Sequence, residues 1–272
     1  MRTWFITGTS RGFGREWATA ALDRGDRVVA TARNVDSLKD LEERYGDRVL
    51  ALALDVTDRP AVLDVVARAF ERFERIDVVV NNAGYGQFGM IEELSEAEIR
   101  EQIETNVLGA LWVTQAVLPY LRAQGGGHLL QVSSIGGISA FPNIGAYHAS
   151  KWALEGFSQA LAQEVEDFGI RVTLIEPGGF ATDWGGSSAR HATPLPAYDG
   201  VRRKAAEQRA SRVSRPGDPT ASARAVLKLV DADDPPLRVL FGDAPLRIAT
   251  EDYERRLATW REWAALSVEA QG

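Results

Sequence analysis

Cysteine is missing from all 272 residues, which excludes disulfides, thiolate metal sites and a cysteine nucleophile together. Histidine is scarce. His128, His148 and His191 have no partners at metal-ligand spacing, so no metal site is expected. No apolar run approaches the ~20 residues needed to span a bilayer. Positive charge is also in deficit: the formal net charge of −7 argues against nucleic acid or an anionic membrane as the main partner. Internal repeats and low-complexity tracts are absent, as is any linker long enough to mark a domain boundary. The first residues enter an apolar strand pattern without a basic stretch and cleavable apolar segment, and the expectation is a cytoplasmic protein.

What remains is an ordinary globular composition, 45% hydrophobic and 25% charged, in a chain whose length suits one α/β domain. Short apolar runs alternate with helical patterns. Trp4 to Ile6, Val28 to Ala30, Val49 to Leu54, Ile76 to Val80, His128 to Val132 and Val172 to Ile175 read as strands. Helices are expected at Gly14 to Arg24, Val35 to Tyr45, Ala61 to Phe73, around Glu96 to Leu121, and from Tyr147 to about Phe168. The third of these places Val62, Val65, Val66, Ala69 and Phe73 on one stripe. Near-continuous apolar strands between amphipathic helices indicate a doubly wound parallel sheet with helices on both faces. Ligands of such sheets collect at the carboxyl ends of the strands.

Thr7 to Gly14 follows the first strand and opens the first helix, with glycines at 8, 12 and 14. A tight glycine turn running into a helix N-terminus suits a pyrophosphate, although a purely structural turn has the same composition. At the end of the second strand, Ala30-Thr31-Ala32-Arg33 has no carboxylate to hold a ribose hydroxyl. Arg33 and Arg11 favour a 2′-phosphate there instead; the competing reading is two surface arginines. NADP(H) is the preferred cofactor on this pattern, with NAD(H) as the alternative. Tyr147 and Lys151 stand four apart and share a helical face. An adjacent ammonium lowers a phenol's pKa toward useful acid–base chemistry. Alone, the pair is by default a solvated surface pair on a helix.

Taken together and in order, Thr7 to Gly14, Asn81-Asn82-Ala83-Gly84, Ser134, Tyr147 to Lys151, and Pro177-Gly178-Gly179 resemble the short-chain dehydrogenase/reductase family, and its NADP-preferring carbonyl reductase-like subgroup. The resemblance spans about residues 3 to 242. It implies a single Rossmann-type domain over residues 1–272, with Tyr147 as proton donor and Ser134 polarising a carbonyl oxygen. Lys151 would lower the tyrosine pKa and hold the nicotinamide ribose. Asn106 would anchor a water-mediated relay to solvent. Gly8, Ser10, Arg11, Gly12, Phe13 and Gly14 match the phosphate-binding turn, and Asp55 and Val56 the pair at the adenine. Asn82, Ala83 and Gly84 match the segment beside the cofactor. Pro177, Gly178, Phe180 and Thr182 match the segment over the nicotinamide. Ser134 is preferred to its neighbour Ser133 because it stands thirteen positions before Tyr147, the family's interval. Ser133 is read as a structural hydrogen-bonder, and His148 as pointing away from the reactive face.

Tyr85, Phe88, Ile138, Phe141, Phe180 and Trp184 would wall the site, and a hydrophobic or aromatic small molecule with a carbonyl or alcohol group is the expected substrate. Ser134, Tyr147, Tyr85, Phe141 and Trp184 are the expected substrate contacts. Residues 183–215 read as a mobile lid, carrying Arg190, Arg202, Arg203 and Lys204 as a solvated basic face or, less simply, an anion-binding one. A helical segment at 244–269 presents Leu257, Trp260 and Trp263 to its own cleft or to a second subunit, and the resemblance implies a homodimer or homotetramer. A non-catalytic NADP(H)-binding sensor and an epimerase or dehydratase of a related branch are the competing functions.

Overall fold

The computed structural model describes residues 1–186, 188–212 and 215–272. In chain order its strands are β1 (Thr3–Thr7), β2 (Arg27–Ala32), β3 (Val49–Ala53), β4 (Val78–Asn81), β5 (Gln87–Phe88), β6 (Gly127–Val132), β7 (Ile170–Pro177), β8 (Arg190–His191) and β9 (Arg238–Phe241). Its helices are α1 (Gly12–Asp23), α2 (Lys39–Tyr45), α3 (Arg59–Phe73), α4 (Glu96–Ile103), α5 (Gly109–Ala123), α6 (Gly145–Val165), α7 (Asp199–Arg212), α8 (Pro219–Asp231), α9 (Ala244–Glu262) and α10 (Ala264–Glu269). Seven strands form one parallel sheet in the order β3-β2-β1-β4-β6-β7-β9.

Alternation along each strand sends neighbouring side chains to opposite faces. Trp4, Ile6, Val28 and Ala30 join Trp17 and Leu22 of α1 and Val226 of α8 in one core layer. Phe5, Val29 and Val79 join Val62 and Val66 of α3 and Val113 and Val117 of α5 in the other. Doubly wound architecture follows from this two-sided burial. The two tryptophan N–H groups that enter this layer are paired: Trp4 Nε1 donates to Asp26 Oδ2 (2.9 Å) and Trp17 Nε1 to Ser222 Oγ (2.8 Å).

Helix starts carry local signals. Asp58 accepts from the Ala61 amide with Pro60 in the first turn, and Ser95 and Glu98 cap α4 reciprocally. Where one helix was expected from Glu96 to Leu121, α4 and α5 are separated by a π-helical turn, Glu104–Leu108. The small β5–β8 sheet and α8 go beyond the sequence reading. No helix among the described residues is long and apolar enough to cross a membrane. Of the segment expected as a lid, Ser187, Val213 and Ser214 lie outside the described residues.

Candidate active site

Strand order reverses between β1 and β4, and a crevice at the carboxyl ends results. A cavity of about 1260 Å³ occupies it. Its first wall is the turn after β1. Gly8 and Gly12 adopt left-handed φ values of +70° and +59°, which disfavour any side chain. The first amides of α1 have no side-chain cap, leaving N–H groups and a positive dipole end for an anion. Asn82 ties this turn to the end of β4: its Nδ2 donates to the carbonyls of Thr7 (2.9 Å) and Gly8 (3.1 Å). In return, Thr7 Oγ1 accepts from the Asn82 and Ala83 amides at 3.0 Å each.

Ser10, Arg11, Gly12, Phe13, Arg33, Asp55, Val56, Ala83 and Gly84 line this half of the cavity, and Pro177, Gly178, Phe180 and Thr182 close it from β7. Two expected cofactor residues behave differently. Gly14 lies under the turn rather than in the cavity, against the Gly8 carbonyl and Asn82. Arg11 is ion-paired to Asp183 (2.7 Å) across the mouth, so its guanidinium is already engaged by a carboxylate; Arg33 is exposed at the rim.

The reactive cluster sits deeper. Tyr147 and Lys151, both buried on the first turns of α6, reach the cavity beside Ser134. Lys151 Nζ donates to the Val132 carbonyl at 2.7 Å, and Ser134 Oγ accepts from the Gly136 amide at 3.0 Å beside the Tyr147 hydroxyl. Burial pushes the Tyr147 phenol up to about 12, with the Ser134 bond opposing. The same burial brings the Lys151 ammonium down to about 8, against a pull from Glu155. The expected lowering of the tyrosine by the lysine does not appear in the protein alone, where desolvation disfavours both charged forms.

Asn106 is buried at the π turn, outside the cavity lining. Its Oδ1 accepts from the Tyr85 amide (3.1 Å), and its Nδ2 donates to the Tyr85 carbonyl (3.0 Å) and Ser150 Oγ (3.1 Å). Ser150 in turn donates to the Tyr147 carbonyl (2.7 Å). Asn106 thus locks the loop after β4 to the helix that carries the tyrosine.

Of the expected substrate walls, Tyr85, Phe88, Phe141, Phe180 and Trp184 line the cavity. Trp184 lies 4.9 Å from the Tyr147 ring and 5.6 Å from Phe88. Ile138 is buried elsewhere, its carbonyl accepting from Arg256. His148, read from its helical angle as averted, is a cavity residue: Nδ1 donates to the Gly136 carbonyl (3.0 Å) and the ring meets Phe141 edge-on. The helix starts only two residues before Tyr147, so the wall beside it includes both faces of the first turn. Ser133 is buried with its hydroxyl unpartnered among the described residues, contrary to the hydrogen-bonding role expected for it. Arg190 pairs with Glu101 and covers the Tyr85 ring, and Arg202 pairs with Glu93 and Asp199. These two cations are thus held by carboxylates of the lid's own anchorage.

The model of the short chain dehydrogenase family matches residues 2–192. An oxidoreductase of Botryotinia fuckeliana is 44% identical over 269 residues, covering 98% of each chain. The crystal structure of a short-chain dehydrogenase from Streptomyces avermitilis superposes with a TM-score of 0.91 at 39% identity, over 99% of this chain and 100% of that one. An alcohol dehydrogenase from Thermococcus sibiricus, solved with 5-hydroxy-NADP, superposes at 0.74 with 31% identity, over 89% and 96% respectively. With its parallel sheet, glycine turn and Ser-Tyr-Lys cluster at the strand ends, the chain belongs to the short-chain dehydrogenase/reductase family of oxidoreductases.

Proposed function

We propose that the protein is an NADP(H)-dependent oxidoreductase moving a hydride between nicotinamide and the carbonyl or alcohol carbon of a hydrophobic or aromatic substrate. One observation carries the reading: Ser134, Tyr147 and Lys151 meet in the cavity that begins at the glycine turn. The cradle fits a dinucleotide. Left-handed glycines, uncapped amides at the start of α1 and the exposed Arg33 supply phosphate contacts. Asp55 and Val56 supply the adenine end. Gly84 packs so closely that a Cβ would meet Asn106 Oδ1 at 3.0 Å. The Thermococcus relative's NADP analogue supports the same cofactor. When bound, the nicotinamide supplies or accepts the hydride.

The protein's part is position and protons. Ser134 Oγ holds the substrate oxygen, and Tyr147 passes it the O–H proton in reduction or removes it in oxidation. Lys151 steadies the phenolate form and contacts the ribose. Asn106 acts at one remove, through Ser150 and the loop at Tyr85. Trp184, Phe88, Phe141 and Tyr85 exclude water and favour an apolar ligand. A homodimer or homotetramer accords with the family resemblance; light scattering that returned a monomer at working concentration would remove it. The function is tested with a carbonyl and alcohol panel against NADPH and NADH, following cofactor absorbance. Tyr147→Phe should lose about 10²–10⁴-fold in kcat, and undiminished turnover would refute the proton assignment.

A further inference from the structure

Tyr147, Lys151 and Glu155 stand at four-residue intervals along one face of α6. The last of these has no part in the chemistry described above. Glu155 has a side chain only 8% exposed, and Glu176, next to last in β7, is buried further at 1%. Two carboxyl groups in such a place are costly unless charge and hydrogen-bonding capacity are met. One guanidinium reaches them among the described residues. Arg238 of β9 lies 2.9 Å from Glu155 Oε2 and 3.5 Å from Glu176 Oε1 through its Nε. Its Nη2 donates to Gln159 Oε1 (2.9 Å) at the exposed side of α6. The same Nε thus draws the two carboxyl groups together. Yet Oε1 of each is buried without a hydrogen-bond donor among the described residues. A proton between them would supply the missing donor.

Ser133 adds a second orphan. Its buried hydroxyl has no partner among the described residues and faces Glu155 Oε1 across Gly137, where a Cβ would lie 2.7 Å from one oxygen and 3.1 Å from the other. Ser133 directly follows Val132, whose carbonyl holds Lys151 Nζ. A hydroxyl thus stands between Glu155 and the strand end that holds the lysine. Arg238 from β9 faces both carboxyl groups, and Lys151 from α6 faces Glu155 and Tyr147. Burial, then the neighbouring Glu155, pushes Glu176 up to about 8 despite Arg238. Burial also brings Lys151 down to about 8, so desolvation favours the neutral form of both groups.

We propose that Glu155 and Glu176 share one proton behind Lys151 and serve as its proton store, positioning residues that return Lys151 to its ammonium form in each turnover. The inference rests on the assignment of Tyr147 and Lys151 above. In reduction, Tyr147 gives its O–H proton to the product oxygen and regains one from the Lys151 ammonium. The resulting amine takes the proton shared by the carboxyl pair, leaving two carboxylates against Arg238 and Lys151. Water at the exposed Arg238–Gln159 side returns a proton to the pair. Oxidation runs the same transfers backwards.

Two readouts test this on the intact enzyme. Infrared difference titration of the wild type, which needs no variant, should show a protonated carboxyl carbonyl band disappearing near pH 8, and Glu176→Gln should lack it. The pH profile of kcat/KM should have its alkaline limb moved down by about one unit in Glu155→Gln, where the ammonium has lost its nearest anion. Glu155→Asp should restore most of the profile, separating charge from packing. Absence of the band in wild type overturns the proposal, as does a Glu155→Gln profile that coincides with wild type. Tyr147→Phe should keep the infrared band; full activity in that variant would sink the active-site assignment while leaving the shared proton standing.

Discussion

At Gly14 a single methyl group decides whether the first turn closes. A Cβ there would lie 2.4 Å from the Gly8 carbonyl and 2.5 Å from Asn82 Nδ2, and neither can retreat without breaking the bonds that tie β1 to β4. Gly14→Ala should destabilise the protein by about 1–3 kcal/mol and weaken NADP(H) binding, read by thermal unfolding with and without cofactor. The glycine pattern announced a phosphate turn, whereas Gly14's use as a packing glycine depends on Asn82, 68 positions away in the sequence. His128 is a second case of context. Its Nε2 pairs with Thr173 Oγ1 at 2.9 Å, and burial, aided by Arg171 and Arg2, holds the imidazole down to about 4. Below the unfolded value of about 6.5 the unfolded chain takes up a proton that the folded one refuses until about 4. Stability therefore falls as pH drops through that window and gains no further loss from this group below it. Urea unfolding should show a flatter dependence between those limits in His128→Gln. The carboxyl groups held low, Asp26 and Asp252 among them, act in the same direction, so the difference from wild type isolates the histidine.

Among the elements, the segment after β7 shows most clearly what sequence periodicity conveys and what it omits. Composition marked residues 183–215 as a lid, but its anchorage is tertiary. Arg190–His191 pairs with Gln87–Phe88 as a small parallel sheet. Glu93 accepts from the Met90 amide (2.8 Å), the Leu195 amide (2.8 Å) and Arg202 Nη1 (2.5 Å). Desolvation would raise this carboxyl, but those donors, Arg202 foremost, pull it down to about 2. Glu93→Gln turns an N–H group toward donors and should free the strap. Amide exchange at residues 190–204 should quicken, and KM should rise more than kcat falls; unchanged exchange would count against anchorage at Glu93. The strands and the stripe of α3 were legible because burial on a sheet or helix imposes period 2 or 3.6. The π turn was not. It is fixed by Asn106 bonding Tyr85 and Ser150 and by Gly109 packing on Val56, contacts that leave no period in the chain. Ile138, placed by its loop, and His148, placed by its helical angle, were both misplaced because the conformation of the loop after β6 sets which surface meets the cavity.

For the whole molecule, the cavity joins parts of the chain that are otherwise distant, from Gly8 through Val56, Gly84 and Tyr147 to Ile248 of α9. A ligand that bridges them binds only the folded protein, so its binding energy adds to global stability. At a hundred times its dissociation constant the increment is about 2.7 kcal/mol, enough to raise the melting temperature of a chain this size by roughly 5–10 °C. The comparison between cofactors is sharper than either value. If Arg33 grips a 2′-phosphate, NADPH should stabilise the wild type more than NADH at equal concentration. Arg33→Ala should erase the difference by lowering only the NADPH shift. Arg11 should behave otherwise: its ion pair with Asp183 must open before it can meet a phosphate, so Arg11→Ala removes a contact and a competing pair together. Its NADPH shift should consequently change less than that of Arg33→Ala. Calorimetry of the four protein–cofactor combinations for each variant decides the matter, and an undiminished NADPH preference in Arg33→Ala would transfer cofactor selection to another part of the cavity wall.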